Sequence, residues 1–120
     1  MLSKLACASV LALVILAPTT EIAAAHTSYD GSWSLSIVTQ RGACSTYNFP
    51  VRIANGQVSV PGLVRAHGRV STNGGVQVSV AVGDKSAAGS GRLSLGSGSG
   101  RWSGRSGSER CSGTWTAQRA

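Results

Sequence analysis

Residues 26–120 predict an all-β domain of eight antiparallel strands, joined in an up-and-down meander. Apolar and polar residues alternate with a period of two, and Gly, Asn and Ser interrupt the chain every few residues. No stretch of this part repeats at the spacing of a helix.

Residues 1–25 read as a cleavable signal peptide. Lys4 supplies a short basic start, residues 5–16 form an unbroken apolar or small run, and Pro18 ends that run. The run is too short to span a bilayer as a helix. Ala23-Ala24-Ala25 then places small residues where a signal peptidase needs them, so cleavage is expected after Ala25. Cys7 stands at the beginning of the run, whereas a lipidated cysteine follows it. The mature chain would start at His26, carry no transmembrane segment, and reach the periplasm or the cell exterior.

The strands follow in order. Trp33, Leu35 and Ile37 alternate with Ser32, Ser34 and Ser36, which sets a first strand near 31–39. Tyr47, Phe49, Val51 and Ile53 alternate with Asn48, Pro50 and Arg52 over a second at 45–54. Asn55-Gly56 turns the chain into a short third strand at 57–61, and a fourth covers 64–71. Asn73-Gly74 leads to Val76, Val78, Val80 and Val82, the stripe of a fifth strand at 76–82. After Gly83-Asp84 a sixth runs over 86–95, and residues 96–100 read as a Gly/Ser loop before a seventh at 100–105. The eighth spans 111–118. Each strand shows one apolar and one polar face, as in antiparallel sheets with one solvated side. On the sixth, Ala87, Ala88, Gly89 and Gly91 are small enough to leave interior space or to let another element pack closely.

Cysteine usage supports closure of the sheet. Cys7 leaves with the signal, and an exported chain retaining only Cys44 and Cys111 is expected to pair them. Strands two and eight start at the same end of a meander, and in a closed barrel strand eight lies beside strand one, so the two cysteines come together. The chain-entropy model assigns such a long-range bridge about 4 kcal/mol. The expectation is a small closed barrel. A β-sandwich of the same strands is the alternative, favoured by Pro50, because a mid-strand proline belongs on an edge or at a bulge.

Gly31-Ser32-Trp33-Ser34-Leu35, followed by Gly42-Ala43-Cys44, resembles the start of the calycin-type barrels: lipocalins, avidins and bacterial metalloprotease inhibitors. The resemblance implies that Trp33 plugs the barrel floor and that a late basic residue, here Arg119, packs over it. In the inhibitor barrels, which are periplasmic, the two cysteines lie much closer in sequence than Cys44 and Cys111. The texture of residues 26–120 also resembles short exported proteins of rhizobia-like bacteria.

Few residues could carry catalysis. The mature chain holds three carboxylates, Asp30, Asp84 and Glu109, each at a turn or loop by the strand reading, and two histidines, His26 and His67. No Cys/His spacing matches a zinc site, no Cys-x-x-Cys-His attaches haem, and no Gly-x-Ser-x-Gly elbow opens a helix. The chain therefore reads as non-enzymatic, without a catalytic residue, metal or cofactor, and a small hydrolase is disfavoured.

Charge points instead to binding. Removal of Lys4 leaves 10 of the 11 basic residues and removal of Glu21 leaves 3 of the 4 acidic ones, so the net charge remains +7. Nine of the ten are arginines, which suit bidentate contacts with phosphate, sulfate and carboxylate. Arg101, Arg105 and Arg110 around Trp102 are expected to grip an anionic chain, while Trp33 and Trp115 could line a cavity. Export directs the partner towards lipopolysaccharide, anionic polysaccharide or a small ligand and away from intracellular nucleic acid. The leading expectation is an extracytoplasmic binding protein with its ligand at the barrel mouth or on an Arg-rich face. A periplasmic protease inhibitor acting through residues 26–29, or an adhesion or interaction protein, is the alternative.

Overall fold

The structure is a computed structural model that describes residues 27–63 and 65–120; the signal reading, His26 and Val64 lie outside them. It contains eight strands: β1 (Gly31–Arg41), β2 (Tyr47–Ala54), β3 (Gln57–Ser59), β4 (Ala66–Val70), β5 (Gly75–Val82), β6 (Lys85–Leu93), β7 (Ser97–Ser106) and β8 (Glu109–Arg119). Each pairs antiparallel with the next, and β8 returns to pair with β1, so the sheet closes into a barrel. Among the described residues there is no helix, and thus none long and apolar enough to cross a membrane.

Closure replaces the sandwich alternative, and Pro50 fits it for a local reason. Asn55 (φ 53°) and Gly56 (φ 74°) make a two-residue hairpin closed by the Ala54–Gln57 pair. Such a hairpin closes on a hydrogen-bonded pair, and polar backbone groups then alternate in direction along the strand. The nitrogen of Pro50 therefore points towards β3, but β3 already ends at Ser59, opposite Arg52. Pro50 occupies a stretch of β2 whose outer side has no strand partner, so its missing N–H breaks no ladder.

The Gly/Ser segment departs from expectation. Residues 97–100 form the lower half of β7, not a loop. Ser97, Ser99 and Arg101 face out, while Gly98, Gly100 and Trp102 take the inward positions. A Cβ on Gly91 or Gly100 would stand 2.5 or 2.6 Å from the Trp115 ring. The inward side of β6 and β7 lacks side chains here because the Trp115 indole occupies that volume.

The floor and mouth of the barrel are built differently. At the floor, residues 27–30 run beneath the strands. The Asp30 carboxylate accepts the Asn55 and Gly56 N–H groups at 2.8 and 3.1 Å and the Thr27 hydroxyl at 2.7 Å. At the mouth, Cys44 in the β1–β2 loop is bonded to Cys111 on β8, with Cα atoms 6.1 Å apart. Gly42 (φ 90°) makes this approach possible: a Cβ there would lie 2.7 Å from the Cys111 sulfur. The disulfide is compatible with an oxidising, exported location.

Candidate functional site: the barrel interior

Inward-facing apolar residues divide into two populations along the barrel axis. In the lower half, Trp33, Ile53, Val70, Val76, Leu93 and Trp115 are buried and form a packed core. In the upper half, residues on the same inward faces remain accessible to water. Leu35, Ile37, Phe49, Val78 and Val80 are only half-buried, and Tyr47 and Val82 are 41% and 49% exposed. Sequence alternation directs these side chains inward, but the facing wall supplies little bulk to meet them: Ala87 on β6 stands opposite Gly104 on β7, and Gly89 leaves Trp102 as the one large inward residue there.

The result is an apolar cavity of ≈ 780 Å³, within the range of small-molecule sites. An eight-stranded barrel is just wide enough either to fill with side chains or to enclose a cavity of ligand size, and this chain fills its lower half and leaves the upper half open. Leu63, from the β3–β4 loop, closes part of one side where β3 is short. Tyr47 and Phe49 stack near the mouth, with ring centroids 5.7 Å apart. Polar groups appear only at the rim, where Lys85, Arg105, Ser106 and Glu109 gather near the disulfide. Glu109 already accepts the Ala43 N–H at 3.2 Å.

All three tryptophans line this cavity, and each indole N–H has a backbone acceptor. Trp33 donates to the Tyr29 carbonyl at 2.8 Å, Trp102 to Val38 at 3.0 Å and Trp115 to Ser90 at 3.2 Å. Their polar edges are thus satisfied and their apolar faces border the cavity, which suits amphipathic rings. Below Trp33, the Arg119 guanidinium lies 4.6 Å from the ring centroid. It donates to the carbonyls of Ser28 (2.7 Å), Asp30 (2.8 Å) and Leu95 (3.0 Å), locking the floor shut. The site therefore has one closed and one open end.

The expected grip of Arg101, Arg105 and Arg110 around Trp102 is not assembled. Strand alternation turns Trp102 into the cavity, while Arg101 and Arg105 on β7 and Arg110 on β8 stand outside. Arg105 alone reaches both the outer wall and the cavity mouth. The carboxylates are likewise dispersed: Asp30 is in the floor, Asp84 in the β5–β6 turn and Glu109 at the rim. His67 lies on the outer wall, its Nε2 3.2 Å from the Ser79 hydroxyl. Among the described residues, no three His, Cys, Asp or Glu side chains are grouped to hold a metal ion.

The cavity wall itself was only half-legible. The Val76 to Val82 stripe and the small residues of the sixth strand are the signal that finds it: bulky residues on one wall face a wall that does not fill the space. Gly91 serves the packing of Trp115, while Ala87 and Gly89 border open volume. Comparison with family models, curated proteins and solved structures gives no match.

Proposed function

We propose that this chain is an exported, non-enzymatic binding protein that holds one small apolar or amphipathic molecule inside the barrel. The observation that carries this reading is the upper half of the interior, where inward apolar side chains remain wet around a cavity of ≈ 780 Å³. A ligand seated there removes that surface from water, at about 25 cal/mol per Å² of apolar area. The closed floor sets one direction of entry, past the disulfide and the rim. Lys85 and Arg105 at the rim favour a ligand whose apolar body enters first and whose polar or anionic end stays at the mouth. The Trp33–Arg119 plug supports the calycin-like reading of the first strand. Inhibition through the N-terminal segment has no comparable support, because residues 27–30 are bonded against the floor.

Thermal unfolding of the oxidised protein with a long-chain fatty acid, a long-chain alcohol and a polycyclic aromatic tests the proposal. A ligand that binds only the folded state raises stability by about 2.7 kcal/mol at a hundredfold excess over Kd. At least one of the three is expected to raise Tm in a dose-dependent way. Unchanged Tm with all three contradicts the reading.

A further inference from the structure

We infer that the outer wall of β4 to β8 binds a single chain of acidic polysaccharide, at a site separate from the barrel interior. Strand register lays small side chains in a row around the outside of the barrel: Ser79 pairs with Ala88, Ala88 with Ser103 and Ser103 with Ser112. His67 continues the row at one end, opposite Ser79, and Arg41 at the other, opposite Ser112. The six positions cross five strand spacings, about 24 Å along the curved wall.

Arginines border this row on both sides. In the row towards the mouth, Arg105 pairs with Arg110, and Arg65 is placed beside Ala81 by a backbone hydrogen bond of 3.2 Å. In the row towards the floor stand Arg69, opposite Gln77, and Arg101, opposite Thr114. Rows two residues apart along a strand are separated by about 6.6 Å. Two lines of guanidinium groups thus rim a shallow trough whose base is made of small side chains.

Charge decides what fits. Arg41, Arg65, Arg69, Arg101, Arg105 and Arg110 are all exposed, and none makes a side-chain hydrogen bond or ion pair among the described residues. No carboxylate shares the trough, and Arg105 directly opposite Arg110 is an arrangement that destabilises a sheet. A polyanion relieves that repulsion and supplies the bidentate acceptors that guanidinium groups prefer. The trough presents serine hydroxyls and the His67 imidazole at one end, while all three tryptophans take inward strand positions. Single-stranded nucleic acid draws on successive bases stacking against several aromatics, and the single imidazole of His67 supplies no such run. A linear chain bearing carboxylates and hydroxyls matches the arginine rims and the serine base together.

The test is binding of the oxidised protein to alginate, a linear polyuronate, across a salt series. Arg101→Ser/Arg110→Ser removes one arginine from each rim. As a control, Arg52→Ser/Arg92→Ser removes the same charge from β2 and from the lower end of β6, in the row beyond the floor-side rim. The Arg101→Ser/Arg110→Ser pair is expected to weaken binding about tenfold or more and to flatten the salt dependence, since each arginine lost means fewer counterions released from the chain. The control pair should bind within about twofold of the parent. A second pair at the far end, Arg65→Ser/Arg69→Ser, should weaken binding as the first does, and denaturant midpoints confirm that each variant is folded. Equal weakening by trough and control pairs reduces the effect to net charge and overturns the proposal. So does an absence of alginate binding, or tighter binding to duplex DNA or to anionic phospholipid vesicles at matched charge. Uptake of apolar ligands does not involve these substituted residues, so the two sites succeed or fail separately.

Discussion

Trp115 shows how a single residue dictates the composition of its neighbours. Its ring lies across β7 and β6, and Gly100 and Gly91 are glycines because a Cβ at either would enter the indole. Gly100→Ala should lower stability by about 1–3 kcal/mol, the range for forcing extra volume into a packed core. Chemical denaturation measures it, and an unchanged midpoint would mean that the ring is not seated there. Arg119 is the other residue with several roles, joining a cation–π contact to three backbone carbonyls. Arg119→Ala should cost about 2 kcal/mol, the scale of hydrogen bonds from a charged donor, and should expose residues 27–30 to proteolysis. Arg119→Lys keeps the charge but cannot reproduce a planar fork, so it should recover only part of the loss.

At the scale of elements, strand alternation was readable wherever it was written in bulky side chains. Trp33 to Ile37, Tyr47 to Ile53 and Val76 to Val82 gave β1, β2 and β5 with their inward faces. It was not readable in residues 97–100, because the inward member of each pair is glycine and the signal resembles a loop. The missing side chains are supplied from elsewhere, by Trp115 and by Leu93, against which a Cβ on Gly98 would clash. Which side of the wall each residue takes follows from the rule that adjacent residues of a strand face opposite ways: Arg101 and Trp102 are neighbours in sequence and lie on different sides. The cavity lies between elements, where the inward positions of β6 between Lys85 at the rim and the packed lower half are the small Ala87 and Gly89, facing large residues. Ala87→Phe should fill part of that space, leave the fold intact and weaken uptake of an apolar ligand by about tenfold or more, since loss of 1.4 kcal/mol is a factor of ten. Equal uptake by parent and variant would move the site out of the upper barrel.

For the molecule as a whole, closure is secured at opposite ends by different means. The floor is sealed by noncovalent bonds around Trp33, Asp30 and Arg119, and the mouth by the Cys44–Cys111 bridge, which spans 67 residues of sequence. A barrel whose upper interior is hollow forgoes part of the burial that stabilises small domains, so the bridge carries a large share of its stability. Replacing both cysteines by serine should cost about 4 kcal/mol in the chain-entropy model, read as a lower denaturant midpoint. The tryptophans that line the hollow interior provide its own reporter. The most direct measurement is energy transfer from tryptophan to a polyene fatty acid titrated into the oxidised protein at low and high salt. Saturable transfer at one site per chain is expected, persisting at high salt and weakened by Ala87→Phe. Transfer that vanishes with salt, or that Ala87→Phe leaves unchanged, would place the ligand on the charged exterior and contradict a binding site within the barrel.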